Sequence, residues 1–233
     1  MAKKVRISFY FLICLSPLYG QQIKQGIVSD IDNNIYKTVV IGKYIWIAEN
    51  LKTTRYNNGI GIQLVEGNDN WSVLNSGAYC WYDDDKDNSI TYGALYNWYA
   101  VNTGNLCPND WHVPSDLEWK YLEGYVDSLY KTDDQVWDIS GLRGYDAGKR
   151  LKSKSGWRKG YLSTDDYGFS ALPGGERLTS FNNTKGSSGF WCSSTEAGLS
   201  EAWYRCLIYS FEEISRDRHP KEMGFSVRCI MDK

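Results

Sequence analysis

The order of strand and helix patterns along the chain restricts its fold more than any other feature of the sequence. Residues 38–49 predict a β-hairpin, because two runs of β-branched and aromatic residues flank Gly42-Lys43, a two-residue turn with glycine first. The clearest helix begins in the middle of the chain, where Ser115 and Glu118 form a capping-box pattern. Short β-rich runs follow residue 160. Helices between strands at both ends predict an α+β domain whose termini pair in one sheet.

Apolar spacing predicts the remaining elements. Residues 91–101 have the spacing of a helix, and an apolar stripe from Leu117 to Leu129 continues the helix that begins after Ser115. Residues 54–78 are rich in Gly and Asn and predict a loop. The other predicted elements are a short helix over 146–151 and strands over 168–172, 190–193, 202–211 and 225–231.

The first twenty residues have the pattern of a secretory signal peptide. Three basic residues precede an apolar run over 7–15, and Gly20 offers a cleavage site. A lipoprotein interpretation would use Cys14, but the bulky Ile13 before it departs from the usual lipidation motif. No other stretch is apolar for the roughly 20 residues that a membrane helix needs. We therefore expect an exported protein without a transmembrane span, with one mature domain over residues 21–233.

The composition of the mature chain excludes several classes of protein. The signal peptide holds three of the 26 basic residues, so 23 remain against 28 acidic residues and the net charge is -5. Nucleic-acid-binding domains are typically basic, so no nucleic-acid partner is expected. The aromatic content of 15% argues against disorder. Neither His112 nor His219 belongs to a catalytic motif, and we expect no enzymatic activity.

Five cysteines remain after export, and the secreted environment permits disulfides. Five is an odd number, so at most two internal bridges form and one thiol is left. No pair has the C-x-x-C spacing of zinc or redox sites. The spacing alone leaves the connectivity open among Cys80, Cys107, Cys192, Cys206 and Cys229.

An acidic run offers a possible calcium site. Asp83, Asp85 and Asp87 alternate like the first ligands of a calcium loop. The EF-hand pattern then requires Gly and Glu at positions where this chain has Asn88 and Ala94, so the run is not an EF-hand. The alternative is a solvated acidic turn.

The tryptophans divide into two groups. Trp46, Trp98, Trp111, Trp119 and Trp191 lie in periodic elements or distinctive motifs and are predicted to be in the core. Four others lie in less regular segments and are candidates for exposed ligand-binding side chains, since exposed indoles stack on sugars or anchor protein interfaces. These four are Trp71, Trp137, Trp157 and Trp203.

Several polar residues admit both a functional and a structural interpretation. Glu49 and Asn50 can act as sugar or metal ligands, or can form a polar end to the hairpin. Arg228 can bind an acidic ligand, or can form a structural pair with a carboxylate. We interpret His112 as partly buried and bonded to a backbone carbonyl, and His219 as part of a surface loop.

Six clusters in order closely resemble the Fibrobacter succinogenes major paralogous domain over about residues 27–231. That family occurs in exported and surface proteins of Fibrobacter and Bacteroidetes. The W-H-V-P-S-x-x-E-W segment and the closing G-F-S-V-R-C are also similar to formylglycine-generating-enzyme-type domains, which have a C-type-lectin-like fold. The six clusters are W-I-A-E-N-L at 46–51, Y-G-A-L-Y-N-W at 92–98, C-P-N-D-W-H-V-P-S-D-L-E-W at 107–119, G-F-S-A-L-P-G-G at 168–175, W-C-S-S-T-E at 191–196 and G-F-S-V-R-C at 224–229.

The resemblance implies a single C-type-lectin-like domain with a short mixed or antiparallel sheet, two main helices and long loops. Such a fold would bring Cys107 to Cys229, leaving Cys192–Cys206 as a second bridge and Cys80 as the odd thiol, with Cys80–Cys107 as an alternative. The family has Gly where this chain has Asp110, but Asp tolerates a left-handed backbone better than most residues, so the turn should survive.

The expected function is that of an exported surface module, binding or structural, that recognises a glycan or a protein partner without catalysis. One alternative is an enzyme of the formylglycine-generating type, which would need two cysteines within reach of one metal. The other is an architectural subunit of a surface fibre or matrix.

Overall fold

The computed structural model describes residues 25–159, 163–178 and 183–233. The predicted signal peptide and Cys14 lie outside the described residues. Within them, no helix has the length and apolar character needed to cross a membrane.

The strands are β1 Gln25–Ser29, β2 Ile35–Ile41, β3 Tyr44–Ile47, β4 Gln63–Leu64, β5 Ala78–Cys80, β6 Leu95–Tyr96, β7 Gly141–Arg143, β8 Ser188–Glu196, β9 Glu201–Ile208, β10 Ile214–Pro220 and β11 Ile230–Asp232. The helices are α1 Asn68–Trp71, α2 Asn88–Tyr92, α3 Trp98–Val101, α4 Asp116–Val126 and α5 Ala147–Leu151, with 3₁₀ turns at Tyr82–Asp84 and Gln135–Asp138.

The two ends of the described chain pair in one sheet, as the sequence predicts. This sheet has the order β1-β2-β3-β11, and its strands are antiparallel. A second antiparallel sheet has the order β7-β10-β9-β8, and a small mixed sheet joins β4, β5 and β6. The α+β class is confirmed. The expectation of two main helices is wrong for the described residues, because α4 alone exceeds five residues there.

Local signals placed the hairpin and the main helix correctly. Ile41 pairs with Tyr44 across the turn, and Gly42 has a φ of 62°. The Ser115 side chain accepts from the backbone N–H of Glu118, and the Glu118 carboxylate accepts from the backbone N–H of Ser115, which completes the capping box before α4. Asp110 has a φ of 68°, so it adopts the left-handed conformation expected at that turn.

The continuous helix predicted over residues 91–101 is wrong. The segment contains the end of α2, the strand β6 and the short helix α3. Gly93 ends α2 with a φ of 74°, and a Cβ there would lie 2.7 Å from the carbonyl oxygen of Leu51. Asn97 then caps α3 by accepting from the N–H of Ala100. The close approach of Leu51 to Gly93 therefore interrupts a segment whose apolar spacing alone suits one continuous helix.

Other local predictions also differ from the structure. Residues 168–172 form an isolated bridge between Ala171 and Lys152 in place of a strand. Leu117 is 73% exposed, and Leu129 lies beyond the end of α4, so neither belongs to the buried stripe. His219 lies in β10 and not in the predicted surface loop, and its ring packs 4.8 Å from that of Tyr204.

The core is aromatic, and the five tryptophans predicted to fill it are all buried. The Trp46 ring lies 5.3 Å from Trp119 and 5.5 Å from Phe169, so the first sheet, α4 and the segment before Leu172 share one cluster. Such tilted and edge-on contacts are favourable ring geometries. This packing places residues 168–172 against the end of β3.

A buried ion network joins α4 to the second sheet. Glu123 is fully buried and accepts from Arg143 and Arg205. Asp116 accepts from Arg216 at 2.8 and 2.9 Å and pairs with Arg205 at 2.9 Å. Burial opposes ionisation of Asp116, but the hydrogen bonds from Arg216 and the charge of Arg205 outweigh it and hold the pKa of that carboxyl well below its usual range.

One of the two disulfide predictions is confirmed. Cys107 and Cys229 are bridged across 122 residues, which excludes Cys80–Cys107. Cys192 and Cys206 are free, so the second predicted bridge is wrong. Cys192 pairs with Tyr204 in the ladder, and Cys206 is therefore its diagonal neighbour. Diagonal positions lie about 7–8 Å apart, beyond the usual Cα separation of a disulfide.

Candidate functional site

A polar cleft of about 710 Å³ opens where four separate parts of the chain meet. Its sides are β2 with the residues just after β3, the α2 region from Ser89 to Gly93, and two loops containing residues 153–155 and 165–172. Its volume lies within the range of small-molecule sites in proteins, about 300–1,000 Å³. Unlike most such sites, it is lined largely by hydroxyl, amide and charged side chains.

The cleft is built from the clusters that carry the family resemblance. Three of them line it directly, those at 46–51, 92–98 and 168–175. Two more support it from below through Trp191 and Arg228. Segments that are far apart in sequence therefore form one cleft.

Asn50 forms the rigid centre of the cleft floor. Its Nδ2 donates to the carbonyl oxygen of Tyr92 at 2.8 Å and to the Ser226 hydroxyl at 3.1 Å. Its Oδ1 accepts from Trp191 Nε1 at 3.0 Å and from Arg228 Nε at 2.9 Å. These bonds use both donors and both lone pairs of the amide, so its orientation is fixed.

Arg228 lies fully buried beneath this floor, and its partner is not a carboxylate. Besides the bond to Asn50, it donates to the carbonyl oxygens of Ile47 at 3.1 Å, Phe169 at 2.7 Å and Ser170 at 3.1 Å. Burial lowers the pKa of its guanidinium, and the charges of Asp165 and Glu49 oppose that shift. The predicted structural pair with a carboxylate is therefore wrong in its partner, although the structural role is present.

Asp165 fixes the loop that forms one side of the cleft. Its two carboxylate oxygens accept from the backbone N–H of Ser170 at 2.8 Å and from the Ser170 hydroxyl at 2.7 Å. Both residues have positive φ, 47° for Asp165 and 53° for Ser170. Backbone strain of this kind persists only where the surroundings enforce it, and it is frequent at binding sites.

Charged side chains surround the floor. Glu49 Oε1 accepts from the backbone N–H of Lys37 at 2.9 Å, and Oε2 has no hydrogen-bond partner among the described residues. Lys37 and Lys154 are exposed and Lys52 is half-buried. The cleft therefore offers both an acceptor and several cationic donors to a ligand.

The structure does not support two of the four tryptophans proposed as exposed binding residues. Trp71 and Trp137 are fully buried, so their predicted exposure is wrong. Trp71 packs in its own small cluster, and Trp137 donates from Nε1 to the carbonyl oxygen of Lys131 at 2.7 Å. Irregular backbone around both residues suggested a surface position, but these loops fold over the indoles.

The other two proposed tryptophans are half-buried. Trp157 donates to the carbonyl oxygen of Ala171 at 3.0 Å. The Arg216 guanidinium lies 3.3 Å from the ring centroid of Trp203, so it covers one face of that ring. Neither tryptophan lines the cleft.

The three aspartates proposed as calcium ligands do not converge. Among the described residues, no group of three or more His, Cys, Asp or Glu side chains is placed to hold a metal ion. Asp83 has a φ of 59° and its carboxylate points towards Lys185 at 3.9 Å, whereas Asp85 accepts from the backbone N–H of Asp87 at 3.0 Å. The alternation in sequence is broken by a left-handed turn, so the calcium prediction is wrong in its geometry.

His112 has a different partner from the one expected. Its Nε2 lies 2.9 Å from Glu118 Oε1 in place of a backbone carbonyl, and the side chain is 44% exposed.

The free thiols are buried, and burial raises the pKa of Cys80, Cys192 and Cys206, that of Cys192 to about 12. Protonated, buried thiols are poor nucleophiles and metal ligands.

The sequence indicates some of the residues that line the cleft but not the others. Glu49 and Asn50 were candidates because they follow the hairpin, and both line the cleft. Lys37, Lys52 and Asp165 were not, because nothing in one sequence shows that a hairpin strand and a distant loop face each other. The signal that could have joined them is that the W-I-A-E-N-L and G-F-S-A-L clusters both belong to the family resemblance.

Comparison with known proteins agrees with the motif resemblance. No curated protein and no solved structure gives a significant match to the chain. The model of the Fibrobacter succinogenes major domain matches residues 39–231, which includes all the strands from β3 to β10 and the whole cleft floor. The chain belongs to the Fibrobacter succinogenes major domain family.

Proposed function

We propose that this protein is an exported, non-catalytic binding module of the bacterial surface, and that the polar cleft holds its glycan or protein ligand. The observation that carries this proposal is the convergence of five family-type clusters on one cleft whose floor is fixed by the Asn50 and Arg228 hydrogen bonds. A rigid floor with polar groups in set positions lowers the entropic cost of ligand binding. Export is supported by the pattern of residues 1–20 and by the Cys107–Cys229 bridge.

The C-type-lectin-like fold is part of the same proposal. It is supported by the pairing of β11 with the hairpin near the start of the chain and by the bridge between the segment before α4 and the segment before β11. In such an arrangement the termini close the domain while long loops form the binding surface. Here the loops at 153–155 and 165–172 serve that purpose.

The catalytic alternative has no specific observation in its favour. It needs two cysteines within reach of one metal. Cys192 and Cys206 are diagonal neighbours in the sheet, but both are buried and burial raises the pKa of both thiols. None of the three free cysteines in the described part of the chain lines the polar cleft.

Blocking the cleft tests the proposal. Ser155 is exposed and lines the cleft, so Ser155→Trp fills it. Ser200 is also exposed but lies on a loop outside the cleft, so Ser200→Trp is the matched control. The wild-type protein and both variants are compared on a glycan array and in a pull-down from bacterial surface material. We expect the wild type and Ser200→Trp to retain a common ligand that Ser155→Trp loses. Absence of a ligand in both assays, or equal binding by all three proteins, would count against the cleft.

A further inference from the structure

We propose that the ligand of this cleft is an acidic oligosaccharide, whose carboxylate or sulfate groups pair with Lys37, Lys52 and Lys154 while its hydroxyls bond to the floor. This inference rests on the proposed function and names the class of ligand for the same cleft.

The cleft is locally positive in a protein that is negative overall. Among the described residues, no carboxylate lies within 4 Å of the amino groups of Lys37, Lys52 or Lys154. Three lysine amino groups and two carboxylates, those of Glu49 and Asp165, line the cleft, and the buried Arg228 guanidinium lies beneath its floor. The lining has an excess of one positive charge, or two when Arg228 is counted, in contrast with the net charge of -5 on the mature chain. A concave surface with an excess of one sign of charge attracts ligands of the opposite sign.

The two carboxylates of the cleft form no ion pair with the lysines among the described residues, because their hydrogen bonds are to neutral groups. Asp165 accepts from the backbone and the hydroxyl of Ser170. Glu49 Oε1 accepts from the Lys37 backbone N–H, and Lys52 instead lies 5.8 Å from the ring centroid of Tyr36. The lysine amino groups therefore remain available to acidic groups of a ligand, and Glu49 Oε2 remains available to a ligand hydroxyl.

The rest of the lining favours a sugar over a peptide. Among the described residues, the hydroxyls of Thr38, Ser89, Thr91 and Ser155 line the cleft without a side-chain hydrogen-bond partner. Peptide grooves usually offer apolar pockets or an unpaired strand edge. A hydroxyl-rich ligand can instead replace the water that solvates these groups and leave no buried polar atom unpaired.

The experiment measures the affinity of the mature protein for a panel of acidic and neutral oligosaccharides by titration calorimetry. The panel contains oligogalacturonate, its neutral methyl ester, a sulfated oligosaccharide and polyglutamate. The cleft variant is Lys37→Gln/Lys52→Gln/Lys154→Gln. Its control is Lys86→Gln/Lys131→Gln/Lys159→Gln, since these three lysines are exposed and outside the cleft.

We expect at least one acidic oligosaccharide to bind, with weaker binding at higher salt, and the neutral ester to bind poorly. Three exposed charge pairs of about 0.5 kcal/mol each correspond to about a tenfold loss of affinity in the cleft variant and none in the control. If polyglutamate binds more tightly than every acidic oligosaccharide, and the cleft variant loses that binding, the ligand is an acidic protein and the proposed sugar is wrong.

Three other results would overturn the inference. These are equal binding of the neutral ester, no binding of any acidic oligosaccharide, and equal loss in both triple variants. Ser155→Trp separates this failure from failure of the proposed function. If a neutral ligand binds the wild type and Ser155→Trp abolishes that binding, the cleft is the site and only the acidic class is wrong.

Discussion

Replacement of Arg228 by methionine should destabilise the whole domain, because a buried guanidinium holds the cleft floor together. Methionine approximates the length of the aliphatic stem but donates no hydrogen bond. The change leaves the carbonyl oxygens of Ile47 and Phe169 without the bonds of 3.1 and 2.7 Å that they accept in a buried site. Asn50 Oδ1 keeps its bond from Trp191. Ser170 lines the cleft, so water can replace the bond to its carbonyl.

The expected magnitude follows from these two buried carbonyls. A buried polar group that loses its partner costs about 1–3 kcal/mol, so the two together cost about 2–6 kcal/mol. The whole domain is expected to be stable by only about 5–15 kcal/mol. With a guanidinium m-value of about 4 kcal/mol per molar, the unfolding midpoint should fall by about 1 M.

The assay is guanidinium denaturation followed by tryptophan fluorescence. Arg218→Met is the matched control, because the Arg218 side chain is 54% exposed and its nearest carboxylate is 3.9 Å away. The control should stay within about 0.5 kcal/mol of the wild type. Arg228→Lys should lie between the two, since an ammonium replaces some but not all of the bonds. A loss of less than about 1 kcal/mol for Arg228→Met would refute the reasoning.

Three further predictions concern other parts of the structure. Cys107→Ala/Cys229→Ala should lower the free energy of unfolding by about 5 kcal/mol, the chain-entropy value for a 122-residue loop, and a loss below about 1 kcal/mol in thermal denaturation would contradict it. Gly93→Ala should lower the free energy of unfolding by about 1–3 kcal/mol more than Gly59→Ala does, because both glycines have positive φ but only at Gly93 would backbone atoms obstruct a Cβ. Equal losses of stability in the two variants would contradict the close approach of Leu51 to Gly93. The free energy of unfolding of the wild type should fall as the pH drops below about 4, because Asp116 ionises more readily in the folded than in the unfolded protein. Asp116→Asn should be about 3–5 kcal/mol less stable at pH 7, and its stability should decline less steeply in acid. Parallel plots of stability against pH for the two proteins would contradict this.

The features that could be predicted from sequence depend on short-range chemistry or on family motifs. The hairpin turn at Gly42 and the capping box at Ser115 require only neighbouring residues. The Cys107–Cys229 bridge and the buried positions of Trp46 and Trp119 followed from motifs. The turn and the cap depend only on neighbouring residues, whereas the bridge was implied by the fold that the motifs indicate.

The wrong predictions depend on contacts between distant segments. The apolar spacing of residues 91–101 suits a helix, but the approach of Leu51 to Gly93 ends α2. Arg228 was expected to need a carboxylate, yet four oxygens from the Asn50 side chain and three backbone carbonyls satisfy it. Lys37, Lys52 and Lys154 could be recognised as one group only once the structure showed that β2 and the loop at 153–155 line the same cleft.

The most direct test of the central claim is a ¹⁵N NMR titration of the mature protein with oligogalacturonate. The amide signals of Asn50, Gly93 and Ser170 should shift together and saturate at one affinity, as should the side-chain amide of Asn50. Signals near Trp203 should remain in place. Saturable shifts around Trp203 or Asp83–Asp87, with the floor signals unchanged, would place the ligand elsewhere and contradict the account.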